Sequence, residues 1–288
     1  MVPWLKTFRN PYPYYYKEIP VGYLAATIFL MSMGFNYLFE PFEVYRPEHR
    51  MGYFWISMVH SLNALWIALI WFGFWNRQVN EEKWTVGKEM LLIAGYLIMV
   101  GITQFLVRDI IYDNPLNWTG RYLYEEIRNT LLVGILFACI LIPLNFLRLQ
   151  RRHRNQAGHF QPIPVGNQEN PTPNPIFIET RQKSDDFTID PSIILVAKAE
   201  GNYLEIYITA GSKTEKLIKR MTLKDLENQL EHLPNFCKTH RSYLVNLGVV
   251  EQVKGNAQGL QLVIPGLDFT VPVSRTMIPL FEQQFTDQ

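Results

Sequence analysis

Long apolar runs pattern the first half of the chain, and short alternations of apolar and polar residues pattern the second. Val21–Phe39, Met90–Val107 and Thr130–Leu147 contain no ionisable side chain other than Tyr and Cys, and Gly52–Trp75 adds only His60. A bilayer core takes ~20 apolar residues as helix, and each run is near that length. The first run begins about twenty residues in and lacks a small-residue cleavage site, which predicts a retained helix and not a signal peptide. Pro143 predicts a kink in the fourth helix. The polar residues inside the runs, His60, Asn36, Asn63, Gln104 and Asn145, read as hydrogen bonds between neighbouring helices or as an intramembrane ligand or relay site.

From Asp185 the period shortens. Two runs rich in β-formers in "SIILVAKAEGNYLEIYIT" flank Glu200, Gly201 and Asn202, where Gly201 is free to take positive φ. "TEKLIKRM" predicts a third strand. "TLKDLENQLEHLP" predicts one helix, with Thr222 as N-cap, Asp225 closing a capping box, Leu223, Leu226, Leu230 and Leu233 on one face, and Pro234 as the stop. "FCKTHRSYLVN" alternates except at Lys238–Ser242, five polar residues in a row. "GLQLVIPG" and "DFTVPVSR" predict two further strands, with "PG" as the hairpin turn between them. The fold class that follows is an N-terminal all-α membrane domain of four transmembrane helices and a C-terminal mostly-β domain with one short helix. The boundaries are 1–147, a basic and proline-rich linker at 148–184, and 185–288.

Charge adds orientation. The chain holds 27 basic and 26 acidic residues, so overall balance names no partner. Ten Lys and Arg lie on the side of the predicted bundle that holds both termini, and five lie on the other. The asymmetry predicts a multi-pass protein of the cytoplasmic (inner) membrane with both termini in the cytoplasm. Tyr12, Tyr14, Tyr15, Tyr16, Trp75 and Trp84 suit the headgroup level. "RLQRRHRNQ" after the fourth run is attracted to anionic membrane lipids. "GHFQPIPVGNQENPTPNP" reads as an extended tether.

Candidate chemistry is sparse. Cys139 and Cys237 lie in different halves, and no paired-cysteine spacing exists, so no metal site is predicted. There is no Gly-x-Ser-x-Gly, no glycine-rich phosphate loop and no paired-carboxylate pattern. No catalytic residue and no cofactor are predicted, and His240 with Ser242 is a chance spacing rather than half of a triad.

Four stretches in order carry a resemblance. "ILVAKAEGNYLEIYI", "TLKDLENQL", "FCKTHRSYLVN" and "VPVSR" are similar to the strand–turn–strand opening, the helix, the most characteristic segment and the closing strand of LytTR DNA-binding domains. The resemblance covers about Asp185 to Phe285. It implies a compact β assembly that reads double-stranded DNA through loops. By position it implies Asn202, beside Tyr203, as a base reader, and Arg241 and Arg275 as groove contacts. Lys238, His240 and Ser242 are implied as phosphate or positioning groups, and Lys254 as a further candidate. Three other readings of these residues stay open: Asn202 suits a turn position of positive φ, His240 suits a buried loop anchor, and Tyr203 and Tyr243 suit the core. Residues 185–288 hold 10 basic and 13 acidic side chains, a net of −3, where a DNA binder usually shows a basic face. Lys198 stands where many relatives carry an acid.

No phosphorylatable receiver accompanies the domain, so the resemblance extends to membrane-anchored members. The expected function is a membrane-bound transcriptional regulator, a homodimer on DNA, whose helices anchor it and sense an unknown ligand or partner protein. The alternative is a membrane-tethered interaction protein that sequesters a partner regulator without binding DNA.

Overall fold

A long apolar run satisfies its backbone most economically as helix, and four such helices form. They are α1 (Val21–Phe39), α2 (Tyr53–Gln78), α3 (Val86–Leu106) and α4 (Gly120–Ala157). The structure is a computed structural model that describes residues 7–42, 45–160, 174–211 and 213–286. It falls into two compact units, Met1–Leu144 and Asn145–Gln288. All four helices are long and apolar enough to cross a membrane. Leu30, Trp66, Leu91 and Leu136 point away from the protein interior, as lipid-facing side chains do. Pro143 lies inside α4, and the helix continues through the arginine cluster to Ala157. The proline-rich part of the expected tether, at 161–173, lies outside the described residues.

The first unit is joined by close approach and by polar contacts between helices. A Cβ on Gly101 of α3 would lie 2.8 Å from the Ile127 backbone of α4, so only glycine permits that crossing. Asn63 of α2 donates to Thr103 Oγ1 of α3 at 3.0 Å, and Tyr96 of α3 donates to the Ala64 carbonyl of α2 at 3.0 Å. For Asn63, one of the five polar residues inside the runs, this is the inter-helix role. Four of the aromatics expected at headgroup level share one cluster. Tyr14, Tyr15, Tyr16 and Trp84 are buried together around Glu89 at the start of α3. Tyr16 and Trp84 donate to its two carboxylate oxygens at 2.7 and 2.8 Å. A carboxylate in the first helical turn also meets the positive end of the backbone dipole. The cluster therefore fastens the segment before α1 to α2 and α3, with Tyr14 donating to Asn76 at 2.6 Å.

The second unit is built from β hairpins. β3 (Ile194–Glu200), β4 (Tyr203–Ala210), β5 (Lys213–Lys219), β6 (Phe236–His240) and β7 (Tyr243–Asn246) make an antiparallel sheet in the order β5-β4-β3-β7-β6. β8 (Gln252–Asn256), β9 (Gly259–Val263) and β10 (Val271–Val273) make a second sheet, β10-β9-β8. A small pair, β1 (Ile176–Ile178) with β2 (Phe187–Ile189), precedes them. β9 and β10 form the expected hairpin, and Pro265-Gly266 turns within its connection at 264–270, with the Leu267 N–H donating to the Ile264 carbonyl at 3.3 Å.

Period-2 alternation gives the large sheet two buried faces. Ala197, Leu204, Ile206 and Leu244 pack beneath helix α5 (Leu223–Gln229), which contributes Leu223 and Leu226, and Leu230 follows at its end. Val196, Cys237 and Val245 face the small sheet and helix α6 (Ile278–Thr286). Burial pushes the Cys237 thiol up to about 11. The capping box forms as the sequence implies: Thr222 accepts from Asp225 N, and Asp225 accepts from Thr222 N. Those bonds, with Arg181 nearby, hold the Asp225 carboxyl below its usual range. A depressed carboxyl pKa stabilises the fold above the unfolded value, near pH ~4, and that contribution disappears as pH falls through the folded pKa. Asp225→Asn should therefore flatten the acid side of the stability curve between about pH 5 and 2, read by circular dichroism.

Candidate nucleic-acid interface

Two hairpin turns and one strand end meet at the same end of the large sheet. Glu200 pairs with Tyr203, leaving Gly201-Asn202 as a two-residue loop, and Gly201 has φ +61°. Glycine first in a two-residue loop is the requirement of a type II′ turn. Asn202 is not among the described residues of positive φ, so the backbone demand falls on Gly201 and not on Asn202. Asn202 and Tyr203 are both exposed, Tyr203 at 51%. The second turn is Arg241-Ser242, between His240 and its partner Tyr243. β3 lies between β4 and β7, and the Ala199 N–H donates to the Ser242 carbonyl at 2.9 Å, so the two turns sit side by side. Beyond β10, the Ser274 N–H donates to the Thr239 carbonyl at 2.7 Å, which brings Arg275 to the same end.

The five-residue polar run turns out to be less polar in space than in sequence. Cys237 and Thr239 both point inward, with Lys238 and His240 on the other face, so β6 alternates to its end. Thr239 is isosteric with Val, and its buried hydroxyl has no hydrogen-bond partner among the described residues. Thr239→Val should raise stability by ~1 kcal/mol by removing that desolvated group, measured as a higher melting temperature with DNA binding unchanged. His240 accepts at Nδ1 from the Ser242 N–H at 3.2 Å and packs against Tyr243 at 5.9 Å between ring centroids. The imidazole thereby shapes the Arg241 turn. Tyr243 is partly buried against Phe269.

Lys238 and Lys254 stand apart from this cluster. The Lys238 ammonium is 2.5 Å from Glu227 of α5, on the opposite face of β6 from Cys237. Lys254 is exposed on β8, opposite Gln261, two strands from β10.

Sequence reasoning found no role for Lys198, and the structure supplies one. Its ammonium lies 2.7 Å from Glu200 and 3.8 Å from Glu205, and Lys216 meets Glu205 at 2.8 Å. The hydrogen bond to Glu200 holds the Lys198 pKa up, and Lys216 holds the Glu205 carboxyl down. The carboxylates of the first hairpin thus carry their own countercharges beside the loop. The signal for this was present in the strand alternation, which puts Lys198 opposite Glu205 across β3 and β4.

Residues 185–286 match the family of LytTr DNA-binding domains. The sensory transduction protein LytT of Oceanobacillus iheyensis is 39% identical over 90 residues, 31% of this chain and 35% of that protein. An uncharacterized response regulatory protein of Vibrio cholerae is 38% identical over 91 residues, 31% of this chain and 33% of that protein. The chain thus spans about a third of the length of the curated relatives it matches. Among solved structures, one described as the LytTr DNA-binding domain of a "putative methyl-accepting/DNA response regulator" from Bacillus cereus is matched over 38% of this chain and 94% of its own length, at 17% identity and a TM-score of 0.29. Residues 185–286 of this chain are a LytTr DNA-binding domain, and they follow four helices of membrane-crossing length.

Proposed function

We propose that the protein is a membrane-bound transcriptional regulator that grips promoter DNA with the end of the large sheet. One observation carries the reading: the Gly201-Asn202 turn, the Arg241-Ser242 turn and the segment after β10 converge there through backbone hydrogen bonds. Each brings a side chain suited to base edges. Asn pairs bidentately with adenine, and Arg with guanine through O6 and N7. Asn202 reads bases from the first turn, Arg241 and Arg275 enter the groove, and Ser242 and His240 fix the turn and its register on phosphate. Tyr203 and Lys254 flank the contact. Lys238, held by Glu227, supports the strand that carries the motif. Two copies on repeated half-sites form the working dimer.

The helices hold the protein in the cytoplasmic membrane with both termini in the cytoplasm, because the basic residues concentrate on that side. Their role beyond anchoring is to receive a signal at the membrane. The test uses the intact protein in lipid nanodiscs. DNA recovered from cells by crosslinking to the intact protein supplies the site, and binding to it is measured across a salt series. Affinity should fall linearly in log–log form as condensed counterions are released. Salt-independent binding, or no recovery of DNA above background, would overturn the reading.

A further inference from the structure

The second unit begins at Asn145, so it includes the end of α4, and that end is built into the DNA-binding domain. Leu149, His153 and Ala157 recur every fourth residue and are all buried. His153 Nδ1 lies 2.7 Å from the Asn256 carbonyl at the tip of β8, which makes Nδ1 the donor. Gln156 donates to Glu282 of α6 at 2.7 Å. Ala157 belongs to the core between the sheets, and the Phe160 ring packs on Phe281 and Phe285 at 5.3 and 5.5 Å. The closest approach is backbone to backbone. A Cβ on Gly255 would overlap the His153 carbonyl, so glycine at this place in β8 is what lets the helix sit down.

This docking fixes where the arginines go. Successive helical residues are ~100° apart, so with His153 facing the domain, Arg152 and Arg154 project to its two sides, along the domain surface. Arg148 and Arg151 project to the opposite side. All four are exposed. The helix docks at Gly255 and Asn256, next to the β8–β9 turn. Because β9 pairs antiparallel with β10, placing Leu260 opposite Val273, that turn lies at the same end of the small sheet as Arg275. The added segment also corrects the charge. Residues 185–288 carry −3, whereas residues 145–288 hold 16 basic and 15 acidic side chains, a net of +1.

We infer that Arg152 and Arg154, delivered by the docked end of α4, are phosphate contacts that extend the DNA interface beyond the LytTr domain itself. The inference rests on the DNA-binding reading above. Phosphate contacts supply affinity without sequence information, and each released counterion adds about 0.9 to the slope of log K against log salt.

The experiment uses the full chain in nanodiscs of zwitterionic and of anionic lipid, with the crosslink-derived site and a scrambled duplex as DNA probes. R152Q/R154Q should lower the salt slope by about 1–2 and weaken both duplexes alike, leaving the ratio between them unchanged. R148Q/R151Q should leave both slopes as they are. Gly255→Ala, which keeps the strand but displaces the helix, should reproduce R152Q/R154Q. Equal slopes for R152Q/R154Q and the parent would overturn the inference while leaving the DNA-binding reading intact. So would equal losses for the two arginine pairs. Effects seen only with anionic lipid would assign the arginines to headgroups instead. Failure of the DNA-binding reading looks different, since the parent itself would then show no salt-dependent binding.

Discussion

Arg241→Ala should cost the protein its preference for the cognate site, and Arg275→Ala should do the same. A bidentate arginine–guanine pair discriminates by ~1–3 kcal/mol, so each substitution should reduce the cognate-to-scrambled ratio by roughly 5- to 150-fold. The effect is large because neither arginine can be replaced locally. Arg241 is the first residue of a two-residue turn whose geometry is set by the β6–β7 pairing and by the Ser242 N–H bond to His240. Arg275 begins where Ser274 is fastened to Thr239. Arg241 is exposed, so with its substitution the melting temperature should stay within a degree or two of the parent. Competitive binding with the two duplexes, read alongside thermal unfolding, separates lost recognition from lost fold. If both variants keep the parental ratio, the groove assignment of these turns is wrong.

The second large effect belongs to the first unit. Arg108 is buried, in an ion pair with Glu126 of α4. Its guanidinium is sandwiched between the Tyr122 and Tyr112 rings at 3.9 and 4.8 Å, and its Nε donates to buried Asn117 at 3.2 Å. Arg108→Ala leaves the Glu126 carboxylate buried without its partner, which costs ~3–5 kcal/mol. Replacing both groups by apolar ones of similar volume, Arg108→Met with Glu126→Leu, should restore most of that, because the desolvation of two charges disappears with their attraction. Thermal unfolding in detergent measures both. If the double substitution is as damaging as the single one, the pair does more than hold α4 to the segment after α3.

Arg108 also shows where sequence reasoning reaches its limit. The apolar runs carry no charge, and Arg108 directly follows the third of them, so it counted as one of five loop cations. Only the packing of the turn at Arg108–Ile111 against α4 reveals it as buried. Glu89 is similar: it lies one residue before a run and is enclosed by a tyrosine segment more than seventy residues earlier. Long-range partners of this kind leave no local pattern.

The elements themselves were largely legible. Four uncharged runs are long enough for helix, and Val21–Phe39 forms with the bounds its composition implies. Thr222 and Asp225 announce their capping box because both partners lie within one turn. The Gly201-Asn202 turn follows from short-range chemistry. Gly201 supplies the positive φ, and alternation on either side sets the register.

Local chemistry, then, was sufficient for the four long helices, for α5, for the strands around the motifs and for the order of the motifs, since each depends on neighbours a few residues away, whereas β1, β2 and α6 gave no such signal. Sequence distance hid the rest. Arg275 joins Arg241 through one backbone bond between Ser274 and Thr239, and Gly255 admits a helix one hundred residues upstream. Those contacts exist only once the sheets have closed on one another, because a close approach of two backbones is a property of their packing and not of either segment.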